Sequence, residues 1–210
     1  MAQAGTVARI LDTAEILFAE KGFAETSLRA ITSKAGVNLA AVNYHFGSKE
    51  SLIQAVFERF LDPFCELLEA RLKAAGDTAL TLEQLLGEVS RTAFAANQGD
   101  ARKVAIFFRL SGLAYTQAQG HMRRFLRERY GHLFAHFLRS LTEATPQLTP
   151  EQRFWRAHFA LGATTFVLSS MEPLRAISAR DLSFSPGTDE LNDMLLAFVA
   201  GGMRATDPAP

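Results

Sequence analysis

Polar side chains lie on both sides of two alanines in the stretch VNLAAVNYHFGSKESL, residues 37–52. Asn38, Asn43 and Tyr44 carry hydrogen-bonding groups, and Lys49 carries a positive charge. Groups of these types bind phosphate oxygens and the polar edges of nucleobases. Between the two asparagines lie two alanines, which keep one side of a helix slim. The stretch therefore predicts a short helix that another molecule approaches very closely.

Three short helices are predicted to hold these side chains. Apolar residues recur at three- and four-residue intervals from about residue 7, and this first helix should end at Gly22. A second helix is predicted over about 27–35 and a third over about 38–44, joined by a tight turn at Gly36. This arrangement describes a helix-turn-helix. The third helix of that motif lies in the DNA major groove, which admits a helix with a slim outer face.

The motif predicts which side chains would meet DNA. Lys49 is unfavourable for the dipole of the helix that it begins, so a phosphate contact better explains its charge. Thr26 and Ser27, at the start of the second helix, are predicted to contact phosphate as well. The alternative is a small structural core of three helices with polar surface groups. The predicted DNA-binding residues are Thr26, Ser27, Asn38, Leu39, Ala40, Ala41, Asn43, Tyr44, His45 and Lys49.

The remainder of the chain also reads as helical, and no strand signal is present, so the fold class is all-α. A long helix capped by Ser48 meets Pro63, where a kink or short break is expected. Later helices are predicted over about 81–97, 101–117, 119–143, 150–171 and 188–204, with a break over 172–186. The predicted domains are a helix-turn-helix domain at 1–62 with its motif at about 26–45, a helical ligand-binding and dimerisation domain at 63–205, and a tail at 206–210.

Composition bounds the class of protein. The chain has 210 residues, of which 48% are hydrophobic, enough for a substantial core. It has no apolar run of the roughly 18 residues that a membrane helix needs, and its acid-bearing start is unlike a signal peptide. The single cysteine cannot form an internal disulfide, so a reducing bacterial cytoplasm is expected. Residues 1–60 carry six basic and six acidic side chains, so charge alone does not indicate DNA.

Residues 7–53 resemble the DNA-binding domain of the TetR family of bacterial repressors. The shared motifs are Gly-Phe-x-x-Thr-Ser from Gly22, Ala35-Gly36-Val37 and His45-Phe46-x-Ser48-Lys49-Glu50. Asn43 occupies a position where many members have tyrosine, and Tyr44 is expected to replace that phosphate contact. Longer segments, including RLSGLAYTQAQGHMRRFL and FWRAHFALGA, resemble the PsrA-type regulators of this family. That resemblance implies a nucleoid-associated repressor of fatty-acid degradation genes, released from its operator by a long-chain fatty acid or acyl-CoA.

Apolar stripes on the last helix and on the helix from Pro150 have two interpretations. They form a dimer interface, or they face the core of their own subunit, and the spacing leaves both open. The TetR resemblance implies a homodimer. Because a homodimer has two-fold symmetry, we expect its operator to be near-palindromic. The predicted interface residues are Phe159, Gly162, Phe166, Leu191, Met194, Leu195, Phe198, Val199 and Gly202.

Aromatic residues are dense between residues 107 and 134, beside the basic stretch GHMRRFLRERYGH. The aromatics are either ordinary core residues or walls of a pocket for a long apolar ligand. The arginines are either a solvated face or an anchor for a carboxylate or for acyl-CoA phosphates. The predicted pocket residues are Phe107, Phe108, Arg109, Leu113, Met122, Arg123, Phe125, Trp155, Phe159 and Phe166.

Other chemistry finds little support in the sequence. His132 and His136 share a helix face, but no further ligand completes a metal site. Neither a P-loop, a GxSxG motif nor a dinucleotide fingerprint is present, so we predict no cofactor, no catalytic residue and no enzyme activity. Cys65 is interpreted as a small buried apolar residue. The competing hypothesis is an all-α lipid carrier or enzyme whose N-terminal helices are only structural.

Overall fold

The computed structural model of the chain describes residues 2–74, 79–117 and 120–206. These residues contain helices and no strand, which confirms the all-α class. No helix in the described ranges has the length and apolar character needed to cross a bilayer. The helices are α1 Ala2–Glu25, α2 Leu28–Ala35, α3 Leu39–Phe46, α4 Lys49–Ala74, α5 Leu82–Ala96, α6 Ala101–Thr116, α7 Gly120–Ala144, α8 Pro150–Ser169, α9 Met171–Leu182 and α10 Thr188–Arg204.

Local hydrogen bonds explain why the short helices begin where the sequence predicts. Ser27 Oγ accepts the backbone N–H of Ala30 at 3.1 Å, and Asn38 Oδ1 accepts that of Ala41 at 2.8 Å. Each bond satisfies an amide that has no partner within its helix. Gly36 follows α2 with φ 65°, and its left-handed backbone turns the chain towards α3. The second and third helices of the predicted motif are therefore present and correctly bounded within about two residues.

One prediction about the remaining helices is wrong. Helix α4 continues as one helix through Pro63, so a short break is absent there, and the alternative of a kink stays a prediction. Helix α9, Met171–Leu182, occupies most of 172–186, where a break between helices was expected. Pro173 is the third residue of α9, and a proline in the first turn loses no intrahelical hydrogen bond because that amide would have none.

The first hydrophobic core joins residues from both sides of position 62. It contains Ile10, Phe18 and Val42 of the first three helices, and also Leu110 of α6 and Met122 of α7. All five are at most 1% exposed. Burial of side chains of this size stabilises the fold by roughly 1.5–3 kcal/mol each. The helix-turn-helix region therefore shares one core with α6 and α7.

Helix α4 is also bound to α7 by a polar cluster next to Pro63. Asp62 accepts a hydrogen bond from Tyr130 Oη at 2.6 Å and another from Arg129 Nη2 at 2.9 Å. Burial raises the pKa of the Asp62 carboxyl, but these two hydrogen bonds outweigh it, so the pKa lies below its ordinary value. Glu58, one turn earlier, pairs with Arg129 at 3.5 Å. The cluster therefore fixes the middle of α4 against α7.

We expect Asp62→Asn to lower the free energy of unfolding by about 0.5–1 kcal/mol near pH 7, because the ion pair is partly exposed. A carboxyl with a lowered folded-state pKa stabilises the fold above its ordinary pKa, and this contribution disappears as the pH falls through the folded-state pKa. The difference between wild type and Asp62→Asn should therefore shrink from pH 7 to about pH 3. Urea unfolding at both pH values measures it, and an equal difference at both would contradict the assigned pKa shift.

Candidate nucleic-acid interface

Helix α3 presents a narrow polar face to solvent. Val42 is fully buried in the first core and fixes which side of α3 faces inward. Ala40, Asn43 and Tyr44 lie on the opposite side at i, i+3 and i+4, and all three are exposed. The Tyr44 side chain is 75% exposed, which is unusual for a tyrosine in a folded helix. The exposed face thus combines a slim residue, an amide and a phenol.

The flanks of this face are more buried than its centre. Leu39 and His45 are partly buried, and Ala41 packs against the first core. The rings of Tyr44 and His45 meet edge to face, with centroids 5.0 Å apart. Asn38 uses Oδ1 as the helix cap, so its amide nitrogen is the group left to donate outward. Of the residues predicted on α3, the exposed three are therefore the best placed to touch another molecule.

Thr26 was predicted to contact phosphate, and the structure corrects this prediction. Its side chain is fully buried, and its hydroxyl donates to Gly22 O at 2.7 Å and lies 3.1 Å from Leu17 O. The hydroxyl therefore closes the turn between α1 and α2 instead of facing DNA. Ser27 is exposed, as expected, although its Oγ caps α2.

Lys49 has a structural contact that the sequence did not indicate. Its Nζ donates to the backbone carbonyl of Ala24, near the end of α1, at 3.2 Å. A cation is favourable at the C-terminal end of a helix, which is the negative end of its dipole. The ammonium group has further N–H donors, so this contact leaves Lys49 able to bind a phosphate. The side chain is consequently held beside the motif.

The motif itself is positively charged although residues 1–60 are neutral as a whole. Residues 26–45 contain Arg29 and Lys34 and no acidic side chain, and Lys49 follows beside Glu50. Arg29, which is not among the predicted DNA-binding residues, is exposed in the first turn of α2. Arg9 of α1 was also missed; its Nη1 would lie 4.0 Å from a Cβ at Gly36, beside the α2–α3 turn. A charge count limited to the motif would have identified Arg29. The position of Arg9 beside the α2–α3 turn is known only from the packing of α1.

Two acidic residues of α1 form ion pairs with an arginine of α4. Arg59 contacts Asp12 at 2.6 Å and Glu15 at 3.1 Å. Burial raises the pKa of Glu15, and Arg59 opposes that rise. These carboxylates therefore neutralise Arg59 and do not belong to the exposed face of α3.

Tyr44→Ala and Lys49→Ala should each weaken binding to specific and random duplexes by a similar factor, because phosphate contacts carry little sequence information. For Lys49→Ala, the slope of log affinity against log salt should also fall by about one. Matched controls are Tyr115→Ala, an exposed tyrosine of α6, and Lys73→Ala, at the far end of α4. Titration of labelled duplexes at several salt concentrations measures these effects. Loss of binding to the specific duplex alone would contradict a phosphate role.

The predicted pocket residues separate into an inner and an outer group. Phe107 packs between Phe57 and Phe60, with ring centroids 6.5 and 5.5 Å away, and Leu113, Met122 and Phe125 join the same core. Phe108 packs against a separate cluster formed with α8 to α10. The polar members of the prediction, Arg109 and Arg123, are exposed.

For the outer group, which consists of three aromatic residues of α8, the pocket prediction is wrong. Trp155, Phe159 and Phe166 lie on the exposed side of α8, so they are not walls of a pocket inside one chain. Trp155 and Phe159 stack on each other with centroids 6.2 Å apart. The sequence spacing placed them on one face of α8 but did not indicate whether that face pointed inward.

Helix α10 divides its apolar residues between two sides. Leu195 and Val199 are 8% and 5% exposed in the single subunit, so the prediction that these two side chains form a dimer interface is wrong. Leu191 is only partly buried against them, and its interface role stays a prediction. On the opposite side of α10, three of the predicted interface residues are exposed: Met194, Phe198 and Gly202. We call these three, together with Trp155, Phe159, Gly162 and Phe166 of α8, the α8/α10 face.

Two further side-chain types have ordinary structural roles. Cys65 is half-buried against the first core, and burial raises the pKa of its thiol to about 12, so it stays protonated. His132 Nε2 lies 4.0 Å from Glu69 Oε2 at the surface. Within the described ranges, no three His, Cys, Asp or Glu side chains are grouped as metal ligands.

Comparison with known protein families identifies the class. Residues 10–56 match the profile of bacterial regulatory proteins of the tetR family, and residues 89–202 match that of tetracyclin repressor-like C-terminal domains. Because the second match covers more than half of the chain, the protein belongs to the TetR family. This confirms the family resemblance seen in the sequence. Members of this family are DNA-binding regulators and not enzymes, as predicted.

Individual relatives match over shorter segments. The HTH-type transcriptional repressor KstR2 of Rhodococcus jostii is 31% identical over 105 residues, which is 50% of each chain. The probable HTH-type transcriptional regulator YttP of Bacillus subtilis is 36% identical over 78 residues, or 37% of each chain. The chain thus spans half or less of the length of these curated relatives. The narrower resemblance to PsrA-type regulators stays a prediction.

Solved structures match over nearly the whole chain. A TetR-like transcriptional regulator from Rhodococcus sp. RHA1 has a TM-score of 0.61 and 25% identity, covering 96% of this chain and 97% of that one. The fatty acid degradation regulator FadR from Bacillus halodurans has a TM-score of 0.60 and 17% identity, covering 95% of both chains. At that identity, the second match shows a shared fold.

Proposed function

We propose that the protein is a homodimeric transcriptional repressor whose two α3 helices bind successive major grooves of a near-palindromic operator. The observation that carries this proposal is the exposed face of Ala40, Asn43 and Tyr44, within an acid-free motif. A slim helix face fits the groove, and the cations around it favour phosphates. The relative KstR2 is described as a repressor. The expected location is the bacterial cytoplasm, at the nucleoid.

The α8/α10 face supports the homodimer. Phe159, Phe166 and Phe198 are 67%, 62% and 69% exposed, and α8 packs beside α10. Full burial of a phenylalanine contributes roughly 1.5–3 kcal/mol, so covering this face strongly favours association. Gly162 and Gly202 are exposed within it and allow a second helix to approach closely. Two such faces form a four-helix interface, which sets the distance between the two α3 helices.

We propose that the effector is a long-chain fatty acid or its acyl-CoA, bound among the helices between about residues 101 and 171. The apolar side chains of Phe107, Leu113 and Phe125 support an acyl site, and the resemblance to PsrA-type regulators supports its chemistry. Arg129 is bound to Asp62 and is a poor candidate for the anchor. Arg109 and Arg123 make no hydrogen bond or ion pair with any described residue, which leaves them able to bind a carboxylate or phosphate.

Effector binding releases DNA only if the effector prefers the dimer geometry that does not fit the operator. A preference of about 3 kcal/mol lowers operator affinity on the order of 100-fold. We assign residues 1–62 to DNA binding and 63–205 to the effector and the dimer. Since α4 is continuous and shares a core with α6 and α7, it is well suited to transmit a movement.

A titration of the protein–operator complex with acyl chains of increasing length tests the effector. Burial contributes up to about 0.8 kcal/mol per methylene. The effector concentration needed to release the operator should therefore fall steeply with chain length until the site is full. Free acids and acyl-CoAs are compared at each length, with Arg109→Gln and Arg123→Gln to locate the anchor. No release by any chain up to about eighteen carbons, with the dimer and operator binding intact, would reject a lipid effector.

A further inference from the structure

Gln117, directly after α6, extends into the DNA-binding helices. Its side-chain Oε1 accepts the backbone N–H of Phe23 at 3.2 Å, across 94 positions of the sequence. Its Nε2 lies 2.8 Å from the point where a Cβ on Gly22 would stand, and Gly22 has φ 84°. A residue with a side chain at position 22 would thus collide with Gln117 and also adopt an unfavourable backbone conformation. The glycine makes the contact possible.

The backbone that Gln117 contacts is the bend that leads into the motif. Gly22 interrupts the helical geometry of α1, and its carbonyl accepts the Thr26 hydroxyl at 2.7 Å. Ser27, the next residue, caps α2. The bend is therefore fastened on one side by Thr26 and on the other by Gln117. The beginning of α2 is two residues away from this double attachment.

Helix α6 contacts three functional parts of the molecule. It carries Phe107 and Leu113 of the proposed effector region, and Gln117 at its end contacts the bend. Four residues before the end of α6, Gly112 lies against α8, because a Cβ there would be 3.1 Å from Thr165 Cγ2. Helix α8 belongs to the α8/α10 face. A shift of α6 that starts at the effector region or at α8 therefore also changes the position of Gln117.

We propose that Gln117 is a positioning residue for DNA binding, which transmits the position of α6 to the α1–α2 bend and so to α2 and α3. The proposal rests on the proposed DNA-binding function but does not depend on the identity of the effector. It differs from transmission through α4 because the bond reaches α1 directly. Coupling is reciprocal, so operator binding must also be felt at α6 through the same bond.

Three variants test the proposal in the full-length protein. Gln117→Met keeps the length of the side chain but removes the acceptor for Phe23 N–H, whereas Gln117→Glu keeps an acceptor. Gln147→Met, at an exposed glutamine in the turn before α8, is the matched control. Each variant is titrated with an operator selected by the wild type from random duplexes. Hydrogen exchange of residues 110–117 and of the Phe23 amide is then measured with and without saturating operator.

For Gln117→Met we expect operator binding weaker by roughly fivefold, as for the loss of one neutral hydrogen bond, and faster exchange at Phe23. Saturating operator should slow exchange over 110–117 in the wild type and in Gln117→Glu, but not in Gln117→Met. A purely structural role would change the thermal midpoint without removing this response. Unchanged affinity together with a retained response in Gln117→Met would overturn the proposal. A wild type that selects no operator would instead overturn the proposed function itself, and this proposal with it.

Discussion

Ala40→Glu is expected to abolish sequence-specific DNA binding. Ala40 is exposed on the outward side of α3, where the proposed complex places it inside the major groove. A glutamate there adds bulk to the slim face and brings a negative charge next to phosphates. Specific binding should fall by about 1000-fold or more, to the level of non-specific binding.

The same substitution should leave the fold intact, which makes it a clean test. Glutamate has good helix propensity, and a negative charge in the first turn of α3 is favourable for the helix dipole. The matched control is Ala135→Glu, at an exposed alanine of α7. Duplex titration gives the affinities, and circular dichroism verifies the helix content. Normal binding by Ala40→Glu would mean that another helix occupies the groove.

Phe198→Asp is expected to convert the dimer into monomers with most of their helices intact. Phe198 is 69% exposed, so its own subunit loses little packing when the ring is removed. In the proposed dimer the substitution buries an unpaired carboxylate, which is costly enough to disrupt the interface. Monomers should bind the operator weakly, because each half-site supplies only part of the contacts.

Gly162→Trp provides an independent test of the same interface from α8. A Cβ at position 162 meets no atom within 4 Å, so the subunit tolerates the larger side chain while a closely packed second copy does not. Phe134→Asp, at an exposed phenylalanine of α7, is the control outside the face. Analytical ultracentrifugation measures the state of each variant. If Phe198→Asp and Gly162→Trp both remain dimers, the interface lies elsewhere.

Local signals predicted the elements of the DNA-binding half because those signals act over a few residues. Ser27 and Asn38 cap the helices that follow them, and Gly22 and Gly36 have the backbone conformations that their positions required. The buried Val42 between exposed neighbours follows from helical periodicity. Helix α9 was missed, and its Pro173 is accommodated because it lies in the first turn of the helix.

Contacts between distant residues set the limits of prediction from sequence. Thr26 has the right residue type for phosphate, but its hydroxyl is used by the α1–α2 turn. Leu195 and Phe198 belong to one apolar stripe, and only the packing of α10 shows that one faces inward and the other outward. The Gln117–Phe23 bond joins residues 94 positions apart and has no sequence signature. Periodicity in the sequence identifies which residues share a helix face. The element that packs against that face is known only from the fold.

Selection of binding sites from a pool of random duplexes tests the central claim most directly. The full-length protein is mixed with the pool, bound DNA is recovered and sequenced over several rounds, and Ala40→Glu is carried in parallel. The account predicts enrichment of a near-palindromic sequence by the wild type, with half-sites about one helical turn or a multiple apart, and no enrichment by the variant. Absence of any enriched sequence with the folded wild-type protein would contradict the proposed repressor.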